Sequence, residues 1–250
     1  MVTSPDVIGR KSALGASDPA RRRERLFFGG MTVALTVVVF AGFAPTYYLN
    51  GYIRAPFPLT PLLHVHAVVF SAWMLLLVTQ TSLIAAHRTD LHRRLGVAGI
   101  GVAALVTGLG YVVAVSRARE GVLGAAAGVP PLEFLPIPLG TVVVFPLLVL
   151  AAVHFRRRTD FHKRLMLLAT VELVTAAIAR LPVISGLGPP GFFGAADLFV
   201  VAMVVYDLRT QKRIHPATLW GGLFLIVSQP LRVVIGGTPA WQSFAVWLTG

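Results

Sequence analysis

Long apolar runs, separated by short polar or proline-containing segments, make up most of this chain. Most of these runs approach the roughly 20 residues that an α-helix needs to cross the hydrocarbon core of a bilayer. We therefore expect an all-α fold, an integral membrane bundle of about seven transmembrane helices. The predicted spans are residues 26–48, 61–86, 94–116, 136–155, 164–183, 192–207 and 216–235.

Short segments of different character flank the predicted membrane domain, residues 26–236. Residues 1–25 are polar and end in the sequence RRRER, without the short apolar core and small-residue cleavage site of a secretory signal peptide. We expect them to form a basic cytoplasmic tail, followed by a retained signal anchor. Residues 237–250 are short and aromatic, and are predicted to lie at the membrane interface, where tryptophan prefers to sit.

The composition supports a membrane protein and excludes several kinds of chemistry. The chain is 56% hydrophobic and 13% charged, whereas soluble domains carry about 25% charged residues. It has no cysteine, which excludes disulfides, thiolate metal sites and cysteine catalysis. It also lacks a phosphate-binding Walker loop, a dinucleotide fingerprint and a nucleophile elbow. Whether the chain catalyses a reaction stays open at this point.

The net charge of +12 is placed unevenly along the chain. Most of the 22 lysines and arginines fall on the N-terminal side of the predicted bundle. Basic residues accumulate on the cytoplasmic side of membrane proteins, so we predict a cytoplasmic N-terminus and a C-terminus outside. The basic excess is then a topology signal and a contact for anionic lipid headgroups, and nucleic acid is not an expected partner.

A short sequence recurs at the start of two predicted helices. TDLHRRL occupies residues 89–95 and TDFHKRL occupies residues 159–165. Each lies on the predicted cytoplasmic side, between an outgoing and an incoming helix. Spans two and three, and spans four and five, therefore look like two copies of one helical hairpin in the same orientation.

Two interpretations of the repeated turn are open. In the first, its Thr or Asp caps the helix, its basic pair anchors the helix at headgroups, and His92 and His162 are interfacial residues. In the second, His92 and His162 enter the membrane at the same depth and together bind a metal, as axial ligands of a haem b iron. Three further histidines on this side are alternative partners: His87, His154 and His215.

His64 and His66 lie in the first turns of span two, near the predicted outer side. Residues two apart in an α-helix point about 200° away from each other, so the two rings do not naturally share one ligand. We expect one to face the bundle and the other the headgroups. No other histidine lies on that side to complete an outer haem site.

Four charged residues fall inside or at the ends of apolar spans, where a charge is costly and commonly functional. By depth, Asp197 should pair with Arg180 or Arg232. Glu172 has no basic residue at its predicted depth. We therefore expect Glu172 to be protonated or to face a wet cavity near Thr175.

Residues 64–96 read HVHAVVFSAWMLLLVTQTSLIAAHRTDLHRRLG. This run resembles a hairpin found in several uncharacterised bacterial membrane-protein families: histidine, an apolar stretch, glutamine, a basic turn, then Leu-His-Arg-x-Leu-Gly. The segment from His162 through Met166 to Arg180 resembles a later part of the same families. The resemblance covers spans two to five and implies a multi-pass protein of the bacterial cytoplasmic (inner) membrane.

A more distant similarity is to transmembrane di-haem cytochromes b of the ascorbate- and ferric-reductase type. His66, Gln80, His92 and Gly96 match their pattern of a helix that starts with histidine and ends near glutamine, followed by His-Arg-x-x-Gly. The resemblance implies haem ligation with His66 and His92 as candidates on opposite sides. The chain departs from the pattern by lacking a second outer histidine, so at most one haem site carries over. Apart from the resemblance, Gln80 is a polar residue suited to a hydrogen bond across helices.

Three classes of function follow from the sequence. The favoured class is a b-type haem-binding or electron-transfer protein. The second is a carrier or binding protein for a small molecule or proton, using Glu172 and Asp197. The third is a structural or assembly subunit of a larger membrane complex, or a homo-oligomer, in which every polar feature serves capping, anchoring or pairing.

Overall fold

The computed structural model describes residues 19–53 and 59–250, and throughout these ranges the regular structure is helical. A π-helical turn, Ala44–Tyr48, continues the first helix, and a short 3₁₀ turn spans Ala125–Ala127. The helices are α1 (Pro19–Phe43), α2 (Pro61–Ala85), α3 (Thr89–Arg119), α4 (Pro131–Phe134), α5 (Pro136–His154), α6 (Thr159–Ile178), α7 (Pro182–Ser185), α8 (Gly188–Gln211), α9 (Pro216–Gly236) and α10 (Pro239–Thr249).

Six helical segments are long and apolar enough to cross a membrane. They are α1 with its π-helical turn, α2, α3, the α4–α5 segment, α8 and α9. Six of the predicted spans are thereby confirmed as long apolar helices, and the chain has the make-up of a multi-pass membrane protein.

Helix α6 corresponds to the remaining predicted span but differs from the others. It carries Asp160, Lys163, Arg164 and Glu172, and it is not among the six apolar segments. It packs against α1, α5, α8 and α9. Almost every residue from Arg164 to its end is buried. A helix that carries charges is costly to expose to lipid, so the bundle places it at its centre.

The end of α6 lies earlier than the apolar pattern predicts. The helix ends at Ile178, whereas the predicted span ran to residue 183. Pro182 begins the short helix α7, and Leu181 before it has an extended backbone (φ −67°, ψ 131°). Proline disfavours the helical region for the residue that precedes it, so the chain breaks here.

Helical structure extends past both ends of the predicted membrane domain. Of the predicted tail, residues 1–18 lie outside the described residues, and the rest is already helical, since α1 begins at Pro19. The C-terminal segment forms helix α10, which packs against α3 and α4. Trp241 Nε1 donates to the Leu132 carbonyl at 2.8 Å and Arg119 Nη2 to the Leu248 carbonyl at 3.1 Å. The segment is therefore part of the bundle, whatever its depth in a membrane.

The two copies of the repeated turn start their helices in the same way. Helices α3 and α6 begin at Thr89 and Thr159, each preceded by an arginine at the N-cap position. No side chain forms a capping hydrogen bond in either helix, so the predicted Thr or Asp cap is wrong. Asp90 and Asp160 instead occupy the first turn, where a negative charge complements the helix dipole. We call the end of the bundle that carries these turns the basic end.

Helices α1 and α6 approach each other closely at Gly42. A Cβ atom there would lie 2.2 Å from the backbone oxygen of Ala177. The added methyl group would force the two helix backbones apart. Gly42→Ala should therefore lower the free energy of unfolding by about 1–3 kcal/mol, as overpacking does. Equilibrium unfolding in mixed micelles measures this. Gly30→Ala on the same helix is the matched control because its Cβ would meet nothing within 4 Å. Equal stability of the two variants would contradict the close approach.

Candidate functional site

The structure brings the histidines of the two repeated turns together. The ring centroids of His92 and His162 lie 6.2 Å apart, and the ring planes are perpendicular, at 90°. Both side chains occupy the first turns of their helices, α3 and α6, at the basic end. The pairing requires both hairpins, because each hairpin supplies one ring.

The hydrogen bonds around the two imidazoles indicate which ring nitrogens are available to a ligand. His162 Nδ1 lies 2.8 Å from the carbonyl oxygen of Ala152 and must donate to it. Its Nε2 then carries a lone pair and can accept a proton or bind a metal. His92 Nδ1 is buried and has no hydrogen-bond partner among the described residues.

Gln80 of α2 completes this site. Its Nε2 donates to the His92 backbone carbonyl at 3.2 Å, which confirms the predicted hydrogen bond across helices. Its Oε1, like His92 Nδ1, is buried and has no hydrogen-bond partner within the described part of the chain. Buried polar atoms almost always have a partner, so two orphaned atoms within one small region make it a candidate binding site. We refer to Gln80, His92 and His162 as the histidine site.

The other histidines do not join this site. His87 and His154 are exposed at the basic end, and His215 belongs to a different network described below. His64 is exposed with its ring against Tyr47, and half-buried His66 lies against Phe70.

The separation of the two histidine regions follows from the hairpin. His66 is in the second turn of α2, and the turn into α3 follows Ala85. At 1.5 Å per residue that places His66 roughly 28 Å along the helix axis from the basic end. His66 and His92 therefore belong to separate places in the fold.

Glu172 does have a basic partner. Arg232 Nη1 donates to Glu172 Oε1 at 2.6 Å, and Thr141 Oγ1 donates to the same oxygen at 2.7 Å. Arg232 Nη2 donates to Ser228 Oγ at 2.7 Å. The premise that Glu172 has no basic residue at its depth is therefore wrong. The long arginine side chain reaches inward along α9 past Gly140, where a Cβ would lie 2.3 Å from Arg232 Nε.

Asp197 pairs with neither predicted arginine. Its Oδ1 accepts a hydrogen bond from Gln229 Nε2 at 2.9 Å. Arg180 is exposed, stacks over the Phe43 ring at 4.7 Å and donates to the Ala176 carbonyl at 2.6 Å. Both arginines thus have other partners, and Asp197 keeps a neutral one.

A second buried ion pair was not anticipated from the sequence. Arg164 donates to Asp207 Oδ1 from Nη2 at 2.5 Å and from Nε at 3.2 Å. Their side chains are 2% and 1% exposed. Asp207 Oδ2 accepts from Thr218 Oγ1 at 2.6 Å and from the backbone N–H of His215 at 3.1 Å. This carboxylate therefore joins α6, α8 and the start of α9.

His215 caps helix α9 beside that pair. Its Nδ1 accepts a hydrogen bond from the Ala217 backbone N–H at 3.1 Å. Burial lowers the pKa of His215, and the nearby Arg164 guanidinium lowers it further. The neutral ring is the form that can accept at Nδ1, so burial and capping favour the same protonation state.

The two copies of the repeated turn diverge at their second basic residue. Arg164 is buried, whereas the matching Arg94 in α3 is exposed. A basic pair next to a membrane span ordinarily indicates headgroup anchoring, so the sequence alone favours the wrong role for Arg164. The signal that could have revealed it is Asp207, an acidic residue among apolar neighbours near the end of α8.

The chain has no significant match to a protein-family model, to a curated protein sequence or to a solved structure.

Proposed function

We propose that this chain is a multi-pass protein of the bacterial cytoplasmic membrane that binds a b-type haem through His92 and His162 and transfers electrons. In this proposal α6 also crosses the membrane, which brings the number of spans to seven, and the basic end faces the cytoplasm. The observation that carries the proposal is the pairing of the two matched histidine rings at 6.2 Å.

The donor set fits a haem iron. Among the described residues no group of three or more His, Cys, Asp or Glu side chains is placed to hold a metal ion. A structural or catalytic zinc site needs three or four protein ligands, whereas a haem supplies its own equatorial ligands and takes only axial ones from the protein. Two histidines alone therefore suit haem iron better than a bare zinc ion.

The distance between the rings also fits. Metal–nitrogen bonds are about 2.0–2.1 Å long, so one bound metal ion could be reached by both rings. The orphaned Nδ1 of His92 and the lone pair on His162 Nε2 are the candidate donor atoms.

The surrounding residues have positioning roles. The Ala152 carbonyl fixes the His162 tautomer and makes that imidazole a better donor, as partners of metal-bound histidines generally do. Gln80 holds the backbone of His92 and thereby the start of α3. A bound haem would supply one-electron chemistry, and these residues would orient its ligands.

The test is a dithionite-reduced minus air-oxidised visible spectrum of the protein purified from its native membrane. We expect a sharp cytochrome α band. His92→Ala and His162→Ala should each lose most of the haem, because either change removes one of the two residues that would hold it. His87→Ala at the same end should keep it, since His87 is exposed outside the site.

Two results would overturn the proposal. One is a flat spectrum from folded protein that has lost no haem in detergent. The other is full haem content in both the His92→Ala and the His162→Ala variants.

A further inference from the structure

A groove opens between α8 and α9 in the half of the bundle away from the basic end. Its volume is about 340 Å³, which is within the range of small-molecule sites. The walls are apolar and the two polar side chains among the lining residues are Asp197 and Gln229. The other lining residues are Pro190, Phe193, Gly194, Pro230, Val233 and Val234.

The groove lies on the outside of the bundle. Val233 and Val234 on its α9 wall are 41% and 66% exposed, and Leu198, next to Asp197 in α8, is 66% exposed. These residues belong to two of the helices that are long and apolar enough to cross a membrane. A molecule dissolved in the lipid would therefore reach the groove sideways, without passing through water.

Asp197 is unusual for such a place. It is half-buried, its Oδ1 has the single partner Gln229, and the described residues provide no hydrogen bond to its Oδ2. Arg232, three residues after Gln229 in α9, is engaged by Glu172 and Ser228. Glu172, Asp197 and Arg232 together carry one excess negative charge when all are ionised. An uncompensated carboxylate at this depth is costly unless something neutralises it.

A purely structural role leaves the groove unexplained. An Asp–Gln hydrogen bond can join two helices, and close packing usually accompanies such polar contacts in membranes. Here the space beside the hydrogen bond stays open: a Cβ at Gly194 would meet nothing within 4 Å. The open space beside the carboxyl is large enough for a ligand.

We propose that this groove binds a lipophilic cation, with its charged headgroup against Asp197 and its hydrocarbon part along the apolar walls. We infer a cation from charge complementarity, because Glu172, Asp197 and Arg232 together lack one positive charge. This site is independent of the histidine site and does not require haem.

The experiment measures binding of radiolabelled decyltrimethylammonium to the full-length protein in nanodiscs. Its charge is permanent, so the headgroup does not titrate. Unlabelled 1-decanol, which has the same chain length without the charge, is the matched competitor. We expect saturable binding that decanol displaces poorly.

Two variants separate the charge from the space. Asp197→Asn removes the charge with little change of shape, and Gly194→Leu fills the groove while keeping the carboxyl. Each should weaken binding by at least about tenfold. Asp197→Asn removes the opposite charge from the headgroup, and Gly194→Leu fills the space that the ligand would occupy. Gly108→Leu on α3 is the control, because a Cβ there also meets nothing within 4 Å. It should bind like the unchanged protein.

Three outcomes would overturn the proposal. Equal displacement by decanol would mean that the groove takes neutral chains. Unchanged binding in Asp197→Asn would remove the role of the charge, and unchanged binding in Gly194→Leu would place the ligand elsewhere. His92→Ala should bind the cation normally, so failure of the haem proposal would leave this result standing.

Discussion

Replacing Asp207 by alanine should lower the free energy of unfolding by about 3–5 kcal/mol, the cost of leaving a buried charge without its partner. Arg164 is 2% exposed, and both of its hydrogen bonds to a side chain go to Asp207. The change also removes the acceptor for Thr218 and for the His215 backbone N–H. Equilibrium unfolding in mixed micelles, followed by circular dichroism, measures the loss.

The matched control is Asp160→Ala at the same end of the bundle. Asp160 accepts from Lys163 at 2.9 Å, but its side chain is 64% exposed. Exposed ion pairs contribute at most about 1 kcal/mol, so this variant should be nearly as stable as the unchanged protein. If Asp207→Ala and Asp160→Ala lose the same stability, the buried pair does not hold α6 against α8 and α9.

A double replacement distinguishes the charge from the packing. Arg164→Met with Asp207→Leu removes both charges and keeps apolar volume in the space. Since an apolar substitute for a buried pair is often neutral or stabilising, the double variant should recover much of the loss. Recovery would show that the single variant suffers from an unpaired charge. Failure to recover would assign the loss to the hydrogen bonds of Thr218 and His215.

The sequence predicts the helices well because their signal is local. Apolar length alone places six long helices with bounds that differ from the observed ones by at most seven residues. The repeated turn likewise identifies the two histidines that the structure brings into contact. Apolar length and the repeated turn are both visible in short stretches of sequence, which is why they can be recognised without the structure.

Charge pairing is predicted poorly because it depends on reach as well as depth. Arg232 lies near the far end of α9, yet its guanidinium bonds Glu172, which lies further from the end of its own helix, α6. The space that admits it comes from Gly140 on a third helix. A prediction of charge pairs from the position of each residue along its own span ignores both the length of the arginine side chain and the presence of a glycine on another helix.

The charges also explain why α6 is the central helix. Arg164 and Glu172 lie eight residues apart, or about 12 Å along the helix. Each has a buried partner on another helix: Asp207 on α8 and Arg232 on α9. The two pairs fix the rotation and depth of α6 relative to its neighbours, which apolar contacts in a membrane specify only weakly.

The Glu172–Arg232 pair should show a large coupling in a double-mutant cycle. Glu172→Ala and Arg232→Ala should each cost about 3–5 kcal/mol, because each leaves a charge buried without its partner. The double variant removes both charges and should cost clearly less than the sum. The coupling measured by unfolding in mixed micelles should then fall within about 0.5–3 kcal/mol, the range for residues in direct contact.

Gly140 provides an independent check on the position of Arg232. A Cβ at Gly140 would lie 2.3 Å from Nε and 2.4 Å from Cδ of the arginine, in the middle of a side chain held at its tip by Glu172. Gly140→Ala should therefore cost about 1–3 kcal/mol. In an Arg232→Ala background the obstacle is gone, and the same change should become neutral or stabilising, because alanine is the better helix former. An equal cost in both backgrounds would mean that Arg232 does not lie against Gly140, and the inward reach that joins it to Glu172 would have to be abandoned.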